Sequence, residues 1–71
     1  MTPEISVETF VVAFHEGFWR IGYAGRWYGT YPEKTKAEVA AVRIANAAPE
    51  LATRVVVREG DGSERIIWEP D

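Results

Sequence analysis

The sequence predicts an α+β domain in which one helix lies across an antiparallel sheet, a three-stranded meander plus a C-terminal hairpin, in the order β-β-β-α-β-β. Three observations predict it. Residues 9–15 are a β-branched and aromatic run and residues 18–31 read at a period of two, the two separated by a short turn. An alanine-rich stretch follows, opened by Thr35 and closed by Pro49, and two β-branched runs then flank Gly60-Asp61-Gly62-Ser63.

Residues 1–8 alternate only weakly at Ile5 and Val7 and read as a lead-in that can fray. From Thr9 to His15 the run is β-branched and aromatic, with Phe10, Val12 and Phe14 on one side and Val11, Ala13 and His15 on the other. Both sides are largely apolar, so this strand is expected at the centre of the sheet. Glu16-Gly17 then turns the chain into the stretch from Phe18 to Tyr31, which holds six of the nine aromatic residues. That stretch reads as a hairpin about an Ala24-Gly25 turn. Trp19, Ile21, Tyr23, Trp27, Gly29 and Tyr31 are expected on the core side, and Arg20, Gly22, Arg26, Tyr28 and Thr30 on the other.

Pro32 lacks the amide hydrogen that a strand ladder needs and ends the third strand. Thr35 with Glu38 three residues on has the capping-box pattern, which predicts a helix over residues 36–48 that Pro49 stops. On a 3.6-residue wheel Ala37, Ala40, Ala41, Ile44, Ala45 and Ala48 gather on one side, expected against Trp19 and Trp27. Val39 and Val42 would then face outward as a second candidate interface. Leu51 is expected to tuck inward, and residues 54–59 and 64–69 form the closing hairpin.

Length and composition limit what such a chain can do. Seventy-one residues without cysteine make one small domain with no disulfide, thiolate metal site or cysteine nucleophile, and its single histidine cannot build a metal site alone. A core this small gains from added burial, so self-association is an option. The net charge of −3 is unevenly spread: residues 17–58 carry seven basic groups against three acidic ones, or +4, and the flanks sum to −7. Met1-Thr2-Pro3-Glu4 has no basic region followed by an apolar one, and no apolar run approaches the roughly 20 residues of a membrane span. The expectation is a cytoplasmic protein with no membrane contact.

The residues that invite a functional reading are Phe18, Arg20, Arg26 and Tyr28, with His15 beside them, expected together on the sheet face opposite the helix. Aromatic planes beside guanidinium groups can bury against a protein or stack bases and hold phosphates. His15-Glu16 has no nucleophile or second carboxylate at useful spacing. Gly60-Asp61-Gly62-Ser63 lacks the lysine of a phosphate loop and the acidic ligands of a calcium loop. No catalytic residue, metal site or cofactor is therefore expected. The reading is a non-enzymatic interaction module that takes a protein partner or forms a homodimer, with nucleic-acid binding through the sheet as the alternative.

Two resemblances bear on this reading. Phe10-Val11-Val12, Trp19-Arg20-Ile21, Gly29-Thr30-Tyr31, Thr35-Lys36-Ala37-Glu38, Val55-Val56-Val57 and Gly60-Asp61-Gly62 together resemble a family of small bacterial and phage proteins known only as a domain of unknown function. That resemblance spans nearly the whole chain and implies the fold alone; in a phage or mobile element, inhibition of a host or defence protein would be one form of the interaction reading. Over residues 18–48, Trp19-Arg20-Ile21, Arg26-Trp27-Tyr28-Gly29-Thr30-Tyr31 and Lys36-Ala37-Glu38-Val39-Ala40-Ala41 are similar to the plant AP2-type DNA-binding domain. The similarity implies a three-stranded sheet lying in the major groove, with Arg20 as the matching DNA-contacting residue.

Overall fold

The computed structural model describes residues 7–47 and 52–70. Among these residues five strands and one helix follow the expected order: β1 (Glu8–His15), β2 (Phe18–Tyr23), β3 (Arg26–Tyr31), α1 (Lys34–Ala47), β4 (Thr53–Arg58) and β5 (Glu64–Trp68). They form one sheet in the order β3-β2-β1-β4-β5, with β1 at its centre as its two apolar sides require. Both early turns are two residues long and hold a non-glycine residue at positive φ, Glu16 at 51° and Ala24 at 52°. The last hairpin is closed by Asp61, whose Oδ1 accepts from the Ser63 amide at 2.9 Å and from the Ser63 hydroxyl at 2.6 Å.

The sheet is mixed. Three pairings are antiparallel, but β4 runs parallel to β1, Phe10 beside Val55 and Val12 beside Val57. Two hairpin reversals make β3 run the same way as β1, and a helix of 14 residues, about 21 Å long, carries the chain back along a strand of roughly 20 Å. The next strand must therefore start at the end where β1 starts, and its ladder opens with the Glu8 amide donating to the Ala52 carbonyl at 3.0 Å.

The core lies between the sheet and α1. Val12, Val55 and Val57 are fully buried, joined by Ile21 and by Ala37, Ala41 and Ala45 of the helix, with Phe10, Trp19, Tyr31, Ile67 and Trp68 packed around them. Fully burying a valine contributes about 1.5 to 3 kcal/mol, and alanines let the helix approach these valines closely.

The helix departs from expectation in two respects. It begins at Lys34 rather than 36: the Glu33 carbonyl accepts from the Ala37 amide at 3.3 Å, so Glu33 holds the cap position and Thr35 lies inside the first turn. Lys34 is held there by tertiary contacts, with Nζ 2.8 Å from Glu59 Oε2 and 6.0 Å from the Trp19 ring centroid. The helix is also rolled. Ala41 is buried and Val39 is 50 % exposed, as expected, but Ile44 is 51 % exposed and Val42 packs against the core. The expected places of Ala48, Pro49 and Leu51, like those of residues 1–6, lie outside the described residues.

Candidate interaction surface

The faces of the aromatic hairpin follow from its turn. A two-residue Ala24-Gly25 turn pairs Tyr23 with Arg26, Gly22 with Trp27 and Ile21 with Tyr28, and directly paired residues share a face. Ile21 is in the core, so Tyr28 and Arg26 belong to the helix side and Trp27 to the opposite side. Both assignments reverse the expected ones. At Gly29, with φ 74°, one extra residue bulges out of β3, the parity switches, and Tyr31 returns to the helix side opposite Trp19. The four candidate residues are therefore divided: Phe18 and Arg20 lie on the open face, Arg26 and Tyr28 on the helix face.

The open face joins Phe18, Arg20 and His15 to residues that the periodicity did not single out. By alternation β1 contributes Thr9, Val11, Ala13 and His15, β2 Phe18, Arg20 and Gly22, and β3 Trp27. β4 adds Arg54, Val56 and Arg58, and β5 adds Ile66 and Glu64. The sequence signal for the β4 residues was present in the alternation of Arg54, Val56 and Arg58 about the buried Val55 and Val57.

No second layer of described residues covers this face, yet Ala13 is only 3 % and Val56 7 % exposed. Their small exposure means that the longer side chains of the same face shield them. Trp27 crosses Gly22 and stacks on His15 at 4.6 Å with an interplanar angle of 17°. The Arg20 Nε donates to the His15 carbonyl at 3.0 Å, and its guanidinium lies 5.8 Å from the Phe18 ring centroid. Arg58 is paired with Glu64, its Nη2 standing 3.2 Å from Oε2. The buried Arg54 Nε has no hydrogen-bond partner among the described residues. A shallow depression of about 260 Å³ runs between Val11, Gly22, Trp27 and Arg58.

The face thus has an apolar floor, one indole wall, and the charges of Arg20 and Arg54, which no carboxylate contacts among the described residues. His15 and Glu16 stand 3.8 Å apart at its rim. The second expected interface reduces to Val39, since Val42 is taken into the core. Among the described residues no three His, Asp or Glu side chains converge as metal ligands, and no helix is long and apolar enough to cross a membrane. No family model, curated protein or solved structure matches the chain.

Proposed function

We propose that this chain is a non-enzymatic interaction module that binds a protein partner of acidic character through the open face of its sheet. The observation that carries the reading is the exposed Phe18 and Ile66 on the same face as Arg20 and Arg54, whose charges meet no carboxylate among the described residues. Such a surface gains from an apolar partner face flanked by carboxylates. A face-to-face pair of identical chains would set these arginines against each other, and like charges in contact oppose association. Edge pairing is also disfavoured, because β3 carries the Gly29 bulge and the β4–β5 ladder slips between Val55 and Val56. A heterologous partner is thus favoured over a homodimer. In a phage or mobile element, an acidic host or defence protein would be a natural target.

Two helical peptides with the same leucine spacing, one with glutamate and one with lysine at its polar positions, test this against isotope-labelled protein. The glutamate peptide is expected to shift the amides of Val11, Arg20, Arg54 and Val56 while the lysine peptide leaves them in place. Equal responses to both, or none to either, would overturn the proposal.

A second reading, nucleic-acid binding through the same face, is favoured by the exposed Phe18 and the Trp27–His15 stack lying beside guanidinium groups. Arg54 and Arg58 would then join Arg20 in the place the sequence assigned to Arg26. Titration of labelled single- and double-stranded DNA at low salt decides it, because phosphate neutralisation is strongest there. No binding at low ionic strength would dispose of this reading.

A further inference from the structure

The helix side of the sheet carries a second, separate recess. Because α1 is rolled to seat Ala37, Ala41 and Ala45, Ile44 is left over an apolar groove of about 390 Å³ lined by Phe10, Ile21, Tyr23, Tyr28 and Ile44, with Glu8 beside them. That volume is within the range of small-ligand sites, about 300 to 1,000 Å³. Tyr28 is 48 % exposed, so two large apolar side chains stand half in water around one concavity.

The chemistry of the walls selects a cation. The Phe10 and Tyr23 rings meet edge to face, 5.1 Å between centroids and 73° between planes, so they form two walls of a corner. Tyr28, on the neighbouring strand, supplies a third aromatic residue. Aromatic faces carry negative potential, and Glu8 adds a full negative charge. Its charge, with burial and a hydrogen bond from the Tyr23 hydroxyl, raises the pKa of Tyr23 above the ordinary phenol value, which keeps that hydroxyl protonated. Among the described residues no lysine or arginine lines the groove, and the cation–π contacts, Arg20 with Phe18 and Lys34 with Trp19, both lie elsewhere.

We propose that this groove binds a methylated ammonium group, its methyls against the rings of Phe10, Tyr23 and Tyr28 and its charge facing the Glu8 carboxylate. Such a group is weakly hydrated and apolar on its surface, so it suits walls of aromatic and isoleucine side chains that would desolvate a bare lysine ammonium at a cost. A free quaternary amine and a methylated lysine of another chain present the same chemistry. The site is independent of the open face.

The test is a titration of the full chain, read on the ring-proton resonances of Phe10, Tyr23 and Tyr28, with choline and with its neutral isostere 3,3-dimethylbutan-1-ol. Choline is expected to shift these resonances, and the alcohol to bind about fivefold more weakly or worse, the difference a cation–π contact makes. Glu8→Gln and Tyr28→Leu should each weaken choline binding by about the same factor. Both positions are exposed, so the fold should survive, and unchanged shifts at Val12 and Val57 would verify it. Equal affinity for the neutral isostere, or no shift at the highest soluble choline concentration, would overturn the proposal. A trimethyl-lysine peptide that binds more tightly than choline would assign the group to a modified chain, and parity between them to a free amine; either supports the site.

Discussion

The indole of Trp27 lies so close over Gly22 that a Cβ on that glycine would stand 2.9 Å from the indole Cζ3. The contact crosses from β2 to β3 on the open face and places the ring where it stacks on His15. Gly22→Ala should lift the indole off the sheet and destabilise the fold by about 1 to 3 kcal/mol, as overpacking does. A chemical denaturation curve gives the stability, and the Trp27 indole N–H resonance reports the displaced ring. An unchanged resonance would mean that the ring does not rest on this glycine.

Gly29 sets the face on which Tyr31 lies. Its φ of 74° disfavours any L side chain, and a Cβ there would be 2.5 Å from Tyr31 Cε2. Gly29→Ala should cost about 1 to 2 kcal/mol from the backbone alone, and more because Tyr31 is packed against the core. Amide exchange should quicken along β3 while β4 and β5 stay protected.

The roll of the helix predicts unequal costs along it. Ala41→Leu should overpack the layer above Val12 and Val55 and cost about 1 to 3 kcal/mol. Val42→Ser should be clearly destabilising, because Val42 packs on the core. Val39→Ser and Ile44→Ser remove half-exposed side chains and should each cost less than about 1 kcal/mol. Thermal melting of the four variants measures the order.

Glu59 links the helix to the last hairpin, and its ionisation should be visible in stability. The hydrogen bond from Lys34 is the chief cause that holds its carboxyl below the ordinary value of 4.5; burial opposes it, and Lys34 and Arg65 charge reinforces it. A depressed folded pKa means that the contribution is fully present above pH 4.5 and is lost as pH falls through the lower folded value. Glu59→Gln should therefore flatten the acid limb of the stability curve and leave its shape above neutrality unchanged. A series of denaturant melts from pH 7 to acid, run on both proteins, would show this, and parallel acid limbs would refute it.

Most of the element order was legible in the residues because its signals are local. The β-branched and aromatic run of residues 9–15, apolar on both sides, marked the central strand, Pro32 and the alanine run marked strand end and helix, and Gly60-Asp61-Gly62-Ser63 marked the last turn. The candidate surface was only half legible. Phe18 and Arg20 were placed on the open face, but the pairing rule of the Ala24-Gly25 turn, itself readable, had to be applied across two strands to send Trp27 there and Tyr28 away. The Gly29 bulge then changed the parity again, and a single glycine in a strand does not declare a bulge by itself.

The sequence by itself determined which segments become strands and helix, since propensity, turn chemistry and proline act over a few residues. Only the tertiary structure decided that β4 pairs parallel with β1, that α1 rolls Ile44 outward and Val42 inward, and that Arg54 and Arg58 share a face with Trp27 and Arg20. Each of these depends on how one element sits against another distant in the chain. Their physical cause is close packing: the helix settles where three alanines meet Val12, Val55 and Val57, and every other side chain on both layers takes its direction from that fit.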